Sequence, residues 1–341
     1  MPQTFQAHSH RLCIAPMMDW TERHCRAFHR GLTRRARLYT EMIAARAVVH
    51  GDRARLLAFD PAERPLALQL GGSEPAVLAK AARIGEEAGF DEINLNCGCP
   101  SDRVQGGCFG AVLMREPERV AECLAAMGAM AAIPVTVKCR LGVDDQDPAE
   151  SLFRFADLAA AAGARTIIVH ARKAWLKGLS PKENREIPPL DHGLVHALKR
   201  ERPGLEVVVN GGIETLDQAE AHLRCVDGVM LGRAAYKRPG LLGEADARLF
   251  GDEAIVSEIE AVEAYLVHIG RELARGAPLR VLVRPLLGLF SGKSGAAEWR
   301  RILSEGAGRT GAGTLLVERA LEAVGATPRR DQPARAPALT A

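Results

Sequence analysis

Long apolar runs are missing from this sequence. None approaches the ~18 consecutive residues that a membrane-spanning helix needs, so we expect no transmembrane segment. The first residues, MPQTFQAHSHRLCIAP, contain no apolar signal core behind a basic stretch, and we therefore expect a cytoplasmic protein. Charge of one sign is not in large excess either. The net charge is +3, from 45 basic and 42 acidic side chains, so overall charge does not indicate a nucleic-acid-binding protein.

Cysteine patterns of the common kinds are also absent. Eight cysteines in 341 residues do not form a disulfide framework, and we expect them to stay reduced. The segment INLNCGCPS, residues 93–101, separates its two cysteines by one residue, whereas zinc sites use Cys-x2–4-Cys pairs with a second pair elsewhere. No CxxC redox motif occurs. The sequence therefore predicts neither a metal site nor a dithiol couple.

One thiol of this segment remains as a candidate for chemistry. Cys99 follows a predicted strand and precedes Pro100, which keeps its backbone extended rather than helical. A thiol with its ordinary pKa is mostly protonated at neutral pH and can donate a proton. We interpret Cys97 and Cys108 as packing residues.

Short apolar runs rich in Val, Ile and Leu recur along the chain and predict eight strands. The stretches between them, such as 76–90 and 151–164, have helical spacing, and Gly89 and Gly163 suit helix C-terminal caps. Apolar strands that alternate with amphipathic helices indicate a parallel sheet covered by helices. The predicted strands are LCIAP (12–16), LYTEM (38–42), LALQL (66–70), EINLN (92–96), VTVKC (135–139), TIIVH (166–170), VVVN (207–210) and GVML (228–231).

Eight such units within residues 11–245 match the size of a (β/α)8 barrel. A doubly wound open sheet is the alternative, but its first strand would lead into a Gly-rich dinucleotide fingerprint, and here that strand leads into APMMDW. We therefore predict an α/β protein in which a (β/α)8 TIM barrel is followed by a small all-helical domain. The predicted divisions are a flexible N-terminus at 1–10, the barrel at 11–245, the helical domain at 246–325 and a disordered tail at 326–341.

Polar residues stand at the ends of the predicted strands, where barrels of this kind carry their functional groups. A rim that served stability alone would not need so many of them. The positions are Asp19, Glu41, Gln69, Asn94, Asn96, Lys138, Arg140, His170, Asn210, Gly211, Gly212, Gly232 and Arg233.

The loops after the seventh and eighth strands, NGGI and LGRAAY, predict a phosphate site. Adjacent glycines let backbone N–H groups approach an anion, and Arg233 adds a forked donor. Lys138 beside the pyrimidine end of a flavin would stabilise the anionic reduced ring, and Gln69 could bind the same edge. A flavin mononucleotide (FMN) accounts for all these positions. The predicted flavin residues are Pro16, Met17, Met18, Gln69, Lys138, His170, Asn210, Gly211, Gly212, Gly232 and Arg233.

Several segments together resemble the tRNA-dihydrouridine synthases. The INLNCGCPS core and the segment HARKAWLKGLSPKENREIPPL are highly specific, and the second resembles the A subfamily, which acts on uridines 20 and 20a of tRNA. The likeness runs from about residue 11 to residue 305. It also includes APMMDWTERHCR, YTEM, QLGGS, VTVKCRLGVDD, NGGI and DGVMLGRAAY.

The resemblance implies an FMN-binding barrel with a helical tRNA-binding domain. It implies that NADPH reduces the FMN, that hydride passes to C6 of a uridine extruded from its stack, and that Cys99 gives a proton to C5. No protein partner is implied, and a monomer is the default expectation. Family members more often carry valine at the position of Cys97, a small apolar difference that leaves Cys99 unaffected. The residues implied to contact tRNA are Asn96, Lys182, Arg185, Arg300 and Arg301.

A second glycine-rich segment is interpreted differently. GLFSGKSG, residues 288–295, has three residues between its glycines where a nucleotide-binding P-loop needs four, and it lies in the predicted helical domain without a preceding strand. We interpret Lys293 as a contact to an RNA phosphate rather than as an ATP ligand.

Two alternative functions remain open at this point. A flavin barrel that acts on a small enone or pyrimidine, such as a dihydroorotate-type dehydrogenase, would use the same flavin residues but would leave the helical domain without a purpose. A tRNA-binding protein without catalysis would not need a thiol and flavin-binding polar groups at the rim. A yellow purified protein would weigh against the second alternative, and formation of dihydrouridine in tRNA would weigh against both.

Overall fold

The computed structural model describes residues 10–101 and 109–325, and the structural statements below refer to these residues. The predicted flexible N-terminus, apart from His10, lies outside them, as do the predicted tail at 326–341 and Cys108. No helix within the described ranges is long and apolar enough to cross a membrane.

The strands form one parallel sheet that closes into a barrel. They are β1 (Leu12–Ile14), β2 (Leu38–Tyr39), β3 (Ile43–Ala44), β4 (Leu66–Gly71), β5 (Glu92–Asn96), β6 (Val135–Arg140), β7 (Thr166–His170), β8 (Glu206–Asn210) and β9 (Gly228–Leu231). Their order is β1-β9-β8-β7-β6-β5-β4-β2, and β3 also pairs with β4. The N–H of Ile14 donates to the Arg37 carbonyl at 2.9 Å, which joins β1 to the segment before β2. The predicted barrel is confirmed. Of the predicted second strand, 38–42, only residues 38–39 form a strand, and β3 follows it at 43–44.

Helices alternate with these strands. Asp147 begins the helix at 148 by accepting the N–H of Glu150 at 2.9 Å. Gly89 and Gly163 follow two helices at φ +94° and +100°, a backbone region that glycine adopts without strain, as the sequence predicted. The helices are α1 (Arg23–Leu32), α2 (Ala45–His50), α3 (Arg53–Leu56), α4 (Pro75–Glu87), α5 (Pro117–Met130), α6 (Pro148–Ala161), α7 (His192–Glu201), α8 (Leu216–His222), α9 (Arg233–Lys237), α10 (Ala245–Phe250), α11 (Glu258–Ala274), α12 (Leu279–Leu282), α13 (Ala296–Gly306) and α14 (Thr314–Glu322).

The chain divides into two compact units. The first contains the residues up to Arg23 and Arg35–Ala234, and therefore the whole sheet. The second contains His24–Arg34 and the residues from Ala235 onward, and it is helical. The divisions predicted from the sequence, 11–245 and 246–325, differ from these at both 24–34 and 235–245.

Non-local contacts explain why α1 belongs to the second unit. The Phe28 ring meets the Tyr265 ring edge-on, with centroids 5.2 Å apart, and the Tyr265 hydroxyl donates to the His24 carbonyl at 3.2 Å. The Thr33 hydroxyl donates to Asp246 at 2.5 Å. Contacts between residues so far apart in the chain leave no trace in local periodicity, so the sequence placed α1 in the barrel.

Apolar side chains fill part of the barrel interior, beside buried polar side chains such as Gln69, Asn94 and Thr136. The apolar ones include Cys13, Ala15, Tyr39, Ala67, Ile168, Val208 and Met230, which pack as one buried cluster. Met17 lies against this cluster and is partly buried. The interior is therefore a packed core, which confines ligand binding to the ends of the barrel.

A buried charged cluster occupies the amino-terminal end of the strands. His10 Nε2 lies 2.7 Å from Glu92 Oε2, and His10 Nδ1 lies 3.0 Å from Glu206 Oε2. Arg37 Nε lies 3.3 Å from Glu92 Oε2. Burial opposes ionisation of Glu92, but His10 and Arg37 outweigh it and lower the pKa of Glu92 to about 2. His10, although predicted to lie in a flexible segment, is 2% exposed because it neutralises these carboxylates.

Candidate active site

The carboxyl ends of neighbouring strands bring three predicted flavin residues together. His170 ends β7 and Asn210 ends β8, and the two are register partners. From β6, Lys138 Nζ donates to Asn210 Oδ1 at 3.0 Å, while Asn210 Nδ2 donates to the Met230 carbonyl at 2.7 Å. Lys138, His170 and Asn210 thus form one polar group at the mouth of the barrel.

Neither His170 nor Lys138 has its usual affinity for a proton. Burial, reinforced by the charges of Arg140 and Lys138, lowers the pKa of His170 well below its usual value, so its ring is neutral at neutral pH. Burial and Arg140 also lower the pKa of Lys138 to about 8. An anionic group beside Lys138 would favour its protonated form, as a contact with a reduced flavin requires.

The Nδ1 atom of His170 is buried and forms no hydrogen bond to any residue in 10–101 or 109–325. Leaving a buried polar atom without a partner costs about 1–3 kcal/mol. A polar ligand at the mouth of the barrel offsets this cost. The atom therefore fits the predicted contact with FMN.

The loop after β8 needs its two glycines. Gly211 and Gly212 have φ values of +110° and +72°, where other residues are strained. A Cβ atom on Gly212 would lie 2.5 Å from Leu190 Cδ1, and one on Gly211 would lie 3.3 Å from His170 Cε1. Backbone so close to His170 suits a ligand that is gripped by main-chain N–H groups.

Arginines give the mouth of the barrel a surplus of positive charge. Desolvation and the charge of Arg233 lower the pKa of both Arg172 and Arg185. Arg233 itself donates to Glu186 Oε1 at 3.0 Å, so one carboxylate accompanies three guanidinium groups. A phosphate group would balance the remaining charge, which fits the phosphate site predicted after β8 and β9.

Cys99 lies on the loop after β5, and its backbone is held on both sides. Asn96 Oδ1 accepts the N–H groups of Gly98 at 3.1 Å and Cys99 at 3.0 Å. Arg140 Nε donates to the Gly98 carbonyl at 2.8 Å, and the Ala111 N–H donates to the Cys99 carbonyl at 2.8 Å. The thiol is partly exposed. The loop therefore presents one accessible thiol on a fixed backbone.

Cys97 differs from Cys99 in its burial. It is fully buried, and burial raises the pKa of its thiol well above the usual value. It packs as the sequence predicted.

Arg140 donates hydrogen bonds to three backbone carbonyls around the Cys99 loop, which its position at a strand end did not predict. Besides Gly98, its guanidinium binds the carbonyls of Lys173 at 2.9 Å and Asn184 at 3.0 Å through Nη1. Burial lowers the pKa of Arg140 to about 10, and the group stays charged at neutral pH. Arg140 therefore ties the Cys99 loop to the loop after β7. The sequence placed it on the rim, but its carbonyl partners come from distant segments that only the fold identifies.

Comparison with known proteins identifies the family. The family model described as dihydrouridine synthase (Dus) matches residues 13–325. This chain belongs to the dihydrouridine synthase family. The resemblance predicted from the motifs is thereby confirmed.

Relatives of this dihydrouridine synthase are similar over almost their full length. The tRNA-dihydrouridine(20/20a) synthase of Xanthomonas axonopodis pv. citri is 61% identical over 93% of this chain and 94% of its own. The proteins of the same name from Xanthomonas campestris pv. campestris and Vibrio cholerae are 57% and 53% identical, over 94% and 92% of this chain and 95% and 96% of their own. The solved structure of morphinone reductase is 15% identical to this chain, with a TM-score of 0.47. The alignment covers 72% of this chain and 87% of the morphinone reductase chain.

The other predicted flavin residues of this dihydrouridine synthase lie around the same mouth. Met17 packs against the barrel core, while Met18 is 55% exposed. A Cβ atom on Gly232 would lie 3.9 Å from Met17 Sδ, so the turn after β1 and the turn after β9 are close neighbours. Pro16 precedes this pair of methionines and is partly buried.

Gln69 is already engaged on both sides of its amide. Its Nε2 donates to Asn94 Oδ1 at 2.8 Å, and its Oε1 accepts from Asn96 Nδ2 at 2.9 Å. A glutamine amide has two N–H groups and two lone pairs, so one of each remains for a ligand. The predicted contact between Gln69 and the flavin is compatible with this arrangement.

The residues predicted to contact tRNA fall into both units of the family member. Lys182 and Arg185 are exposed on a turn of the first unit, next to the buried Asn184. Arg300 and Arg301 are exposed on α13 of the second unit. Lys293, also predicted to contact RNA, instead pairs with Glu258 at 2.5 Å. Lys293 is therefore already paired with a carboxylate in this structure.

Proposed function

We propose that this protein reduces uridine to 5,6-dihydrouridine in the D-loop of tRNA, at positions 20 and 20a. The observation that carries the proposal is the partly exposed Cys99 thiol, fixed on its loop by Asn96 and Arg140 beside the predicted flavin residues. Membership of the dihydrouridine synthase family supports the reaction. The printed name of the relatives supports the two positions.

FMN is the proposed cofactor, held at the mouth of the barrel. Lys138 and Gln69 would bind its pyrimidine end, the neutral His170 would offer a ring nitrogen, and the backbone after β8 together with Arg233 would hold its phosphate. Once reduced by NADPH, the flavin would supply the hydride for C6 of the uracil. Lys138 and His170 are half-buried at this mouth, so the barrel shields each of them from part of the bulk water.

Cys99 is the proposed acid that delivers a proton to C5 of the same uracil. A cysteine side chain can serve as a general acid through its S–H proton. Asn96 sets the position of this thiol through the two N–H groups that it accepts. The second N–H of the Asn96 amide can donate to an oxygen of the uracil.

The tRNA is the proposed macromolecular partner, bound by Lys182 and Arg185 of the first unit and Arg300 and Arg301 of the second. Phosphate contacts of this kind release counterions, so we expect affinity to fall steeply with salt. We further propose that the protein works as a monomer in the cytoplasm. Membership of a family of tRNA-modifying enzymes supports this location.

Nucleoside mass analysis tests the proposal. The FMN-loaded protein is incubated with unmodified tRNA and NADPH, and the tRNA is digested and analysed. We expect dihydrouridine with the wild type and at least ~100-fold less with Cys99→Ala, because general-acid catalysis contributes about that factor. FMN content and tRNA affinity should be unchanged in the variant. Full activity of Cys99→Ala would remove the assigned acid, and no dihydrouridine with the wild type would contradict the function.

A further inference from the structure

A continuous chain of side-chain hydrogen bonds runs through the barrel to the Cys99 loop. Glu92 Oε1 accepts from the Thr136 hydroxyl at 2.5 Å, and Thr136 Oγ1 accepts from Asn94 Nδ2 at 2.8 Å. Asn94 Oδ1 accepts from Gln69 Nε2 at 2.8 Å, and Gln69 Oε1 accepts from Asn96 Nδ2 at 2.9 Å. All five side chains are at most 7% exposed. The chain joins the charged cluster at one end of the barrel to the candidate active site at the other.

The Glu92 end of this chain has a fixed direction. A carboxylate can only accept hydrogen bonds, and Glu92 is a carboxylate because His10 and Arg37 lie against it. Thr136 has one hydroxyl proton, and it donates this proton in the hydrogen bond to Glu92. Thr136 must therefore act as the acceptor toward Asn94, so that Asn94 turns its NH2 group to Thr136 and its oxygen to Gln69.

The loop end of the chain requires the same direction. The N–H groups of Gly98 and Cys99 can only donate, so Asn96 must turn its oxygen to them and its NH2 group to Gln69. Gln69 then turns its oxygen to Asn96 and its NH2 group to Asn94. Both ends agree, and each of the three amides is left with one allowed orientation.

We propose that Glu92 and Thr136 are positioning residues, which fix the orientation of the Asn94, Gln69 and Asn96 amides and thereby hold the Cys99 loop in place for proton transfer. Without an obligate acceptor at position 92 or a hydroxyl at position 136, Asn94 Nδ2 loses its acceptor, and only the loop N–H groups still hold the three amides in this orientation. The turned-over arrangement, in which Asn96 presents its NH2 group to the loop and those two hydrogen bonds are lost, then becomes more populated. The inference rests on the proposed role of Cys99.

Thr136→Val tests this chain of hydrogen bonds from Glu92 to Asn96, called the relay below. The substitution removes the hydroxyl but keeps the shape of the side chain. Thr136→Ser restores the hydroxyl. Thr166→Val is the matched control: the Thr166 hydroxyl donates to Glu206 at 2.6 Å in the same charged cluster, is buried on the next strand, and does not lie on the path to Asn96. Each FMN-loaded variant is compared with the wild type in the absence of tRNA.

Hydrogen exchange reads the loop directly. We expect the amides of Gly98 and Cys99 to exchange at least ~10-fold faster in Thr136→Val, because loss of a hydrogen-bond acceptor lowers the local opening free energy. Thr136→Ser and Thr166→Val should exchange like the wild type. Unchanged exchange in Thr136→Val, or equal acceleration in Thr166→Val, overturns the relay.

Turnover provides the second measurement. In Thr136→Val we expect kcat for dihydrouridine formation to fall about 10-fold while KM for tRNA stays within about twofold, since a misplaced acid affects the chemical step rather than tRNA binding. Thr136→Ser should restore kcat. Full kcat in Thr136→Val overturns the positioning role. If the wild type forms no dihydrouridine but the variants show the expected differences in hydrogen exchange, the proposed function is contradicted and the relay is supported.

Discussion

His10 and Glu92 meet at 2.7 Å in a place that water barely reaches, and each charge stabilises the other. Burial disfavours the imidazolium, but Glu92 and Glu206 reverse this and raise the pKa of His10 to about 9. The pKa of Glu92 is lowered to about 2. A raised histidine pKa gives stability that is complete below pH 6.5 and lost as pH rises toward 9, whereas a lowered carboxyl pKa gives stability that is lost between about pH 4.5 and 2.

We predict an alkaline loss of stability that depends on His10. Between pH 6 and pH 9.5, the free energy of unfolding should fall by up to about 3 kcal/mol through this histidine, because its pKa rises from 6.5 to about 9 on folding. Urea unfolding at a series of pH values measures it.

His10→Gln is the control for that pH series. Its amide keeps a hydrogen-bond donor but does not titrate, so the free energy of unfolding should start lower at pH 6 and change less toward pH 9.5. An equal alkaline slope in the wild type and His10→Gln would mean that the imidazolium does not stabilise the folded state.

Single residues also show how far the sequence could go. Cys99 could be singled out because the absent zinc and CxxC patterns left one thiol at a strand end, and the family motif agreed. The relay through Thr136 could not be predicted from the sequence. A threonine in an apolar strand gives no indication of which residue its hydroxyl binds. Glu92 stood at the start of a predicted strand, and only closure of the barrel brings it to His10.

At the scale of elements, the loop after β8 depends on backbone that only glycine adopts easily. Gly212→Ala would place a Cβ atom 2.5 Å from Leu190 Cδ1 at a φ of +72°. We expect the free energy of unfolding to fall by about 1–3 kcal/mol from strain and crowding. We also expect weaker retention of FMN, because the loop is proposed to bind its phosphate. Chemical unfolding and the flavin absorbance of the purified protein measure the two effects.

Gly163→Ala separates the two effects. Gly163 has a φ of +100° and nothing within 4 Å of an added Cβ atom, and it follows α6 rather than a strand. This variant should lose stability through strain but keep its flavin. Comparable flavin loss in both variants would assign the effect to stability rather than to the proposed phosphate loop.

Elements were predictable to the extent that local pattern determines them. Strands such as 166–170 are continuous apolar runs, and their bounds agree with β7. The segment 38–42 was harder: β2 and β3 pair with β4 at 38–39 and 43–44, and the residues between them belong to neither strand. The membership of α1 in the second unit depends on rings more than 200 positions apart, as Phe28 and Tyr265 show, which no local pattern encodes.

At the scale of the whole molecule, a net charge of +3 conceals an uneven distribution. Arginines dominate the mouth of the barrel, where Arg172, Arg185 and Arg233 share Glu186. Many other exposed arginines are matched by carboxylates, such as Arg202 with Asp157 at 2.6 Å. Such a pair contributes little to binding an RNA phosphate, because the arginine must first give up its partner. Local pairing, rather than total charge, should therefore decide which arginines bind tRNA.

Arg300 and Arg301 test this rule on one helix. Arg301 donates to Glu298 at 2.6 Å and to Glu305 at 3.1 Å, and the bond to Glu298 raises the pKa of Arg301. Arg300 is exposed, and the described part of the chain offers it no side-chain partner. We predict that Arg300→Ala weakens binding of unmodified tRNA about 3- to 10-fold and reduces the salt dependence by about one phosphate contact.

Arg301→Ala is the matched comparison, since it makes the same substitution one residue away on the same exposed helix. It should weaken tRNA binding less than about twofold, because the Arg301 guanidinium is already bound to Glu298 and Glu305 and so contributes little to an RNA phosphate contact. Dissociation constants measured from 50 to 200 mM salt give both the affinity and its slope. An equal or larger loss in Arg301→Ala would show that tRNA displaces the glutamates, and that pairing within the helix does not select the contact.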